Sequence, residues 1–293
     1  MGLSEILIAD LPREEVQLVK RLAEAGQFST IRLCQLTEEE AALRLRGISS
    51  IENGIIFLST SQKLLSLANE KGVAAIAYQS PGCPKFLHAD MVVEGFEEVD
   101  AFFLRRVYER KHGIPWQIAE TERCLIRELS LEDVPELLQL YAEPGITDYM
   151  KGLHPPGEEL AFQRAYIEHQ YQFYGYGMWL VFEKKSGTLI GRAGAELHED
   201  PETGEALLEL GYVIHPSFQR QGYGYEVCRA VIRYLEEECG AEELFCRIRE
   251  GNTASIRLAK KLGFSLKEER KEEKVFLFSW KNLSMWQVMA CTQ

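Results

Sequence analysis

Between Leu3 and Lys111 short apolar runs alternate strictly with amphipathic stretches, strand then helix. Few architectures satisfy that order, because parallel strands need crossovers that place helices on both faces of the sheet. Leu3–Ala9 is predicted as a strand. Arg13–Ala25 carries Val16, Val19, Leu22 and Ala23 at helical spacing and stops at Gly26. Thr30–Leu33 is a second strand. Thr37 then caps a helix to Arg46, with Glu40 completing a capping box. Gly54–Leu58 is wholly apolar, as expected of a strand buried on both faces. A helix over Ser61–Lys71, strands at Val73–Ala77 and Asp90–Val93, and a helix over Glu97–Lys111 complete an expected α/β domain, residues 1–115, with a parallel sheet.

The rhythm breaks over residues 112–124, where Gly113 and Pro115 stop the preceding helix. The domain boundary is placed here, with a second domain over 122–282. A length of 293 residues suits two cores better than one. The second grammar is mixed. A strand at Leu125 leads to a helix over Leu131–Tyr141 capped by Ser130, and a long helix over Glu158–Tyr174. Strands follow at Met178–Glu183, Thr188–Leu197 and Ala206–Ile214. A glycine loop, a helix to Glu238, a strand at Leu244–Ile248, a helix over Thr253–Leu262 and a hairpin from Phe264 to Trp280 close the pattern.

Hydrophobic residues make up 46% and charged residues 27%, values of an ordinary globular protein, and no segment approaches ~18 uninterrupted apolar residues. The N-terminal stretch MGLSEILIADLPREE is acidic and lacks the basic region of a signal peptide, so a cytoplasmic location is expected. Seven cysteines without a C-x-x-C pair argue against a disulfide framework and against a zinc site, and no metal is expected. They read as small buried hydrophobes. A net charge of −12 repels nucleic acid, favours cationic partners and helps solubility. Neither nucleic acid nor membrane is expected as a partner; a homodimer stays open.

The most informative segment is LLELGYVIHPSFQRQGYGYEVCRAVIRYLEEE. A strand ends at Pro216, the loop Gln219-Arg220-Gln221-Gly222-Tyr223-Gly224 follows, and a helix starts at once. Free N–H groups of the loop and first helical turn converge where the helix dipole is positive, a natural seat for phosphate, and Arg220 adds a full charge. No Gly-Lys-Ser/Thr follows, which excludes a Walker loop, and the third glycine of a dinucleotide fingerprint is missing.

Gln-Arg-Gln-Gly-Tyr-Gly resembles the Q/R-x-x-G-x-G/A signature of the GNAT acetyltransferases. Asn252-Thr253-Ala254-Ser255 and Lys261-Leu262-Gly263-Phe264 lie at similar spacing, and the element order from Leu125 to Trp280 is similar as well. The Glu-Leu-Gly-Tyr strand and Asn-x-x-Ser helix start resemble the subgroup that acetylates ribosomal-protein N-termini. The resemblance implies an α+β acyl-CoA N-acyltransferase fold with a splayed mixed sheet, and acetyl-CoA as cosubstrate. The loop from Gln219 through Arg220, Gln221, Gly222, Tyr223 and Gly224 to Tyr225 would grip the CoA diphosphate. The strand end Tyr212, Val213 and Ile214 would pair with pantetheine, Asn252 would hydrogen-bond it, and Lys260 or Lys261 would lie near the phosphates or simply be solvated.

Acetyl transfer to an amine needs a base, a polarised carbonyl and a proton for the departing thiolate. Glu209, on the face of Gly211 and Val213, and Glu196, on the adjacent strand, are the candidate bases. A backbone N–H at Val213 or Ile214 would donate to the carbonyl oxygen. Many members of the family place a Tyr acid where this chain has Ala259; Ser255, the substitute in the similar subgroup, or water remains. Tyr149, His154, Tyr171, Phe173, Tyr174, Tyr176 and Trp179 are read as an aromatic acceptor slot or as plain core. His154 and His169 are read as surface residues.

The first half resembles the Rossmannoid core of haloacid-dehalogenase-like (HAD-like) hydrolases. Ala9-Asp10-Leu11-Pro12 lacks the second Asp of that family, and Leu58-Ser59-Thr60-Ser61 lacks its metal-binding carboxylate. An inactive docking, regulatory or dimerisation module is expected there. The whole chain is read as an N-acetyltransferase acting on a small amine or a peptide N-terminus. The alternative is a non-catalytic CoA sensor.

Overall fold

The computed structural model of the chain describes residues 2–24, 31–48, 54–79, 88–171, 174–200, 203–271 and 274–281. Ala25, Gly26, Thr30 and Phe173, each named above, and two of the seven cysteines, Cys83 and Cys291, lie outside the described residues. The chain forms two compact units, Met1–Trp116 and Gln117–Gln293.

In the first unit β1 (Glu5–Ala9), β2 (Arg32–Gln35), β3 (Ile55–Ser59), β4 (Ala74–Tyr78) and β5 (Met91–Val93) form one parallel sheet in the order β2-β1-β3-β4-β5. Every residue of β1, β3 and β4 is buried, which explains their unbroken apolar character. Ile6, Ile8, Ile56, Leu58 and Ile76 meet α1 (Arg13–Glu24) and α4 (Ala101–Lys111) through Val16, Val19, Leu104 and Tyr108. Leu7, Ala9, Phe57, Ala75 and Ala77 face the opposite way, against Ala41 and Leu45 of α2 (Glu38–Arg46) and Leu64, Leu65 and Ala68 of α3 (Gln62–Glu70). The capping box at Thr37 is present: Thr37 Oγ1 accepts from Glu40 N, and Glu40 accepts from Thr37 N. Asp100 caps α4 by accepting from Phe103 N, so that helix begins four residues after Glu97.

The second unit has an eight-stranded sheet in the order β12-β13-β11-β10-β9-β8-β7-β6. Its strands are β6 (Gln117–Glu120), β7 (Cys124–Arg127), β8 (Met178–Glu183), β9 (Leu189–Glu199), β10 (Ala206–Ile214), β11 (Glu243–Arg249), β12 (Ser265–Arg270) and β13 (Val275–Lys281). β6 lies in the stretch read from sequence as a link. It is short and half exposed, so no apolar run announces it. All pairings are antiparallel except β10–β11, which is parallel. The register of β10 with β9 runs from Ala206↔Glu199 to Ile214↔Gly191, whereas with β11 it is the single pair Glu209↔Phe245. The two strands therefore part beyond Glu209.

Helices cover both faces. Trp179, Ala193 and Tyr212 are register partners and share one face. Trp179 packs edge-on against Tyr234 of α7 (Tyr223–Glu237), and the Tyr212 hydroxyl reaches α8 (Thr253–Lys261). Met178, Gly194 and Gly211 share the other face, toward α5 (Val134–Ala142) and α6 (Pro156–Tyr166). The long helix read over Glu158–Tyr174 ends at Tyr166 and continues as a π turn over Ile167–Tyr171. Hydroxyl bonding accounts for the change: the Tyr166 hydroxyl accepts from Met178 N, and the Tyr171 hydroxyl donates to Met178 O, so both rings must meet the start of β8.

Candidate active site

The loop after β10 is braced by its own side chains. Gln219 turns back to donate from Nε2 to Ile214 O, and Gln221 donates from Nε2 to Ser217 O. Arg220 has φ 58, and its residue is exposed. Gly222, the residue before α7, has φ 89 and ψ −6, a conformation that costs an L side chain roughly 1–2 kcal/mol. Gly224 serves a different purpose. A Cβ there would lie 3.3 Å from Leu258 Cδ2 and 3.8 Å from Ile214 Cγ1, so it lets α7 approach α8 and β10. The first helical bond of α7 runs from Glu226 N to Gly222 O. The amides of Tyr223, Gly224 and Tyr225 precede it and point out of the helix start, where the dipole is positive.

The gap between β10 and β11 opens beside this helix start. His215 N donates to Ile190 O, which fixes the alternation along β10. Groups at Val213, Gly211 and Glu209 point to β9, and those at Tyr212 and Ile214 point into the gap. The Ile214 carbonyl is taken by Gln219; its amide and the peptide groups of Tyr212 face the opening.

The face toward α5 and α6 gathers the acid–base candidates. Glu209 and Glu196 are direct register partners on it. Arg247 Nη2 lies 3.1 Å from Glu209 Oε2. The Tyr166 hydroxyl donates to Glu196 Oε1 at 2.6 Å, and His198 Nε2 lies 3.7 Å from Glu196 Oε2. Burial raises the Tyr166 phenol far above its ordinary value and keeps it a donor. Between these carboxylates and the Val213–Arg192 pair lies Gly211 opposite Gly194; the Gly177 carbonyl fills the space a Cβ at Gly194 would take, and the Met178 thioether packs over Gly211. His198, Arg247 and Tyr166 were not singled out from sequence; the signal for His198 was its two-residue spacing from Glu196.

On the other face the Tyr212 hydroxyl donates to Ser255 Oγ at 2.8 Å. Burial raises the Tyr212 phenol well above its ordinary value, so it holds its proton at neutral pH. Asn252 caps α8: its Oδ1 accepts from Ser255 N at 3.1 Å, so the side chain named for pantetheine also fixes Ser255. Lys261 Nζ stands 4.3 Å from the centroid of Tyr225, on the outer side of the same helix pair. Burial pushes the Cys124 thiol up to about 11 and the Cys228 thiol higher still, so both stay protonated.

The aromatic run does not act as one slot. Trp179 and Tyr171 are core residues, with Trp179 on the α7 face. Tyr149 and Tyr174 are exposed, and the Tyr149 hydroxyl donates to Gly251 O. His154 lies tilted against Phe162, 5.3 Å between centroids. In the first unit, Asp10 follows β1 with φ 54, and its carbonyl accepts from Thr60 Oγ1; Ser59 Oγ accepts from Ser61 N.

A solved structure of the ribosomal-protein-S5-alanine acetyltransferase from Vibrio fischeri is similar in fold, with TM-score 0.50 and 16% identity over 57% of this chain and 97% of that one. The family model for the acetyltransferase (GNAT) domain matches residues 123–265. The uncharacterized N-acetyltransferase YnaD of Bacillus subtilis is 32% identical over 144 residues, 49% of this chain and 79% of that protein. The chain belongs to the GNAT acetyltransferases. The protein YkkB of Bacillus subtilis is 26% identical over 144 residues, 49% of this chain and 82% of its own. The GNAT match lies wholly within the second unit and includes the loop, the parting strands and both carboxylates. No described helix is long and apolar enough to cross a membrane.

Proposed function

We propose that the second unit transfers an acetyl group from acetyl-CoA to a primary amine, on a small molecule or a peptide N-terminus. The observation that carries this reading is the helix start at Gly222–Tyr225, whose outward amides adjoin the gap between β10 and β11. The amides hold the diphosphate, and the peptide groups of Tyr212 with the Ile214 amide bind the pantetheine arm and the thioester oxygen. Bound acetyl-CoA supplies the activated acetyl group.

Glu209, at the last paired position before the strands part, takes the proton of the attacking ammonium. Glu196, fixed by Tyr166, holds the ammonium from across the strand pair. Ser255 donates its proton to the departing sulfur, the Tyr212 hydroxyl behind it passes its own proton to the Ser255 oxygen, and water restores the phenol once CoA has left. This pair stands in for the tyrosine that Ala259 replaces. The first unit, whose resemblance to HAD-like hydrolases rests on sequence pattern alone, is proposed as a non-catalytic module.

The test is CoA release from acetyl-CoA, read as free thiol, over a panel of primary amines including polyamines, aminoglycosides and short peptides. At least one amine accelerates release and appears acetylated by mass. CoA binding without acceleration by any amine would instead support a sensor.

A further inference from the structure

The glycine loop has a partner far from it in sequence. Arg123, in the turn between β6 and β7, is 98 residues from Gln221, yet its Nη1 donates to Gln221 O at 3.1 Å. The same guanidinium donates from Nε to Glu226 Oε2 at 2.7 Å and lies 2.6 Å from that oxygen through Nη2. Its plane covers the Tyr223 ring, 4.0 Å from the centroid. The anchor is itself held: Glu226 Oε1 accepts from Thr121 Oγ1 at 2.6 Å and from Arg123 N at 2.9 Å. Tyr223 is pinned from the far end by its hydroxyl bond to Glu183 Oε1.

A peptide group is planar and trans, so its C=O and N–H point in opposite directions. Fixing the Gln221 carbonyl on Arg123 therefore fixes the Gly222 N–H on the opposite side. A cation beside a helix N-terminus is unfavourable by itself, because the dipole is positive there. The Glu226 carboxylate offsets this, leaving a rigid fork that orients the peptide.

We propose that Arg123 is a positioning residue for the cofactor loop: by clamping the Gln221 carbonyl to Glu226 it turns the Gly222 amide out to meet the CoA diphosphate. The inference rests on the reading of that loop as the CoA site. Arg123 acts through its bonds to the loop, so a point charge cannot replace it.

The experiment is calorimetric titration of the full-length protein with CoA, and NMR titration with pantetheine, which lacks the diphosphate. Wild type, Arg123→Met, Arg123→Lys and the exposed control Arg233→Gln are compared. Both Arg123 variants are expected to bind CoA about tenfold more weakly, while pantetheine binding changes less than twofold and Arg233→Gln matches wild type in both. Full CoA affinity in folded Arg123→Met would overturn the proposal. So would recovery in Arg123→Lys, which would make the role one of charge alone, or equal losses for CoA and pantetheine, which would make it general stability. If Arg123→Met does not fold, Arg123→Lys against wild type decides by the same two ligands. A wild-type protein that does not bind CoA would remove the underlying CoA reading, whereas wild-type CoA binding retained in folded Arg123→Met would overturn this clamp alone.

Discussion

Glu196 and Glu209 stand directly opposite one another across β9 and β10, side chains on the same face, each held by a different partner. Arg247 engages Glu209 and Tyr166 engages Glu196. Two carboxylates so placed repel one another unless a cation lies between them, and a substrate ammonium meets that need. Glu209→Gln is expected to lower kcat by about 10²-fold with CoA affinity unchanged. Glu196→Gln and Tyr166→Phe are expected to raise KM for the amine more than they lower kcat. Steady-state kinetics with the best amine of the panel check this; a Glu209→Gln enzyme with wild-type kcat contradicts the assignment.

The Tyr212–Ser255 hydrogen bond predicts a shared role. Ser255→Ala and Tyr212→Phe should each lower kcat by roughly tenfold to a hundredfold, and the double variant should be little worse than Ser255→Ala. Strictly multiplicative losses in the double-mutant cycle would show that the two hydroxyls act independently.

Two glycines at helix starts should respond in opposite directions. Gly222→Ala forces a side chain into φ 89 and should destabilise the protein by about 1 kcal/mol. Gly157 lies in the first turn of α6, where an added Cβ meets nothing within 4 Å, and Gly157→Ala should stabilise by about 0.5 kcal/mol. Chemical denaturation of both variants provides the comparison.

Asp133 links stability to pH. Burial pushes its carboxyl up, but the bidentate bonds from Arg127 and the bonds from Ser130 outweigh burial and hold it below the ordinary 3.8. A depressed carboxylate stabilises the fold above its unfolded value and loses that contribution as pH falls through the lower folded value. Denaturation midpoints should therefore decline below about pH 3.8, and the Asp133→Asn variant, less stable at neutral pH by about 2 kcal/mol, should show a shallower decline. Equal slopes in the two proteins would contradict the linkage.

Much of this was legible in the sequence because its signals are local. Buried runs such as Gly54–Leu58 announce strands, Thr37 with Glu40 announces a cap, and the spacing of Gly222 and Gly224 announces a loop meeting a helix. What escaped depends on residues far apart. Arg123 reaches Gln221 over 98 positions, and Tyr166 reaches Glu196 over 30. Nothing near either residue states the partner. The π turn was hidden for the same reason, since its cause is the hydroxyl bonding of Tyr166 and Tyr171 to Met178. Gly224 was legible as a glycine of the loop; that its missing side chain accommodates Leu258 depends on helix packing.

The central claim is that amides at the start of α7 receive the diphosphate of coenzyme A. A crystal structure of the protein with CoA tests it most directly. Diphosphate oxygens within ~3.2 Å of the backbone nitrogens of Gly222–Tyr225 are the predicted result. Clear density for the diphosphate elsewhere on the protein, with those nitrogens bonded to other groups, would contradict it.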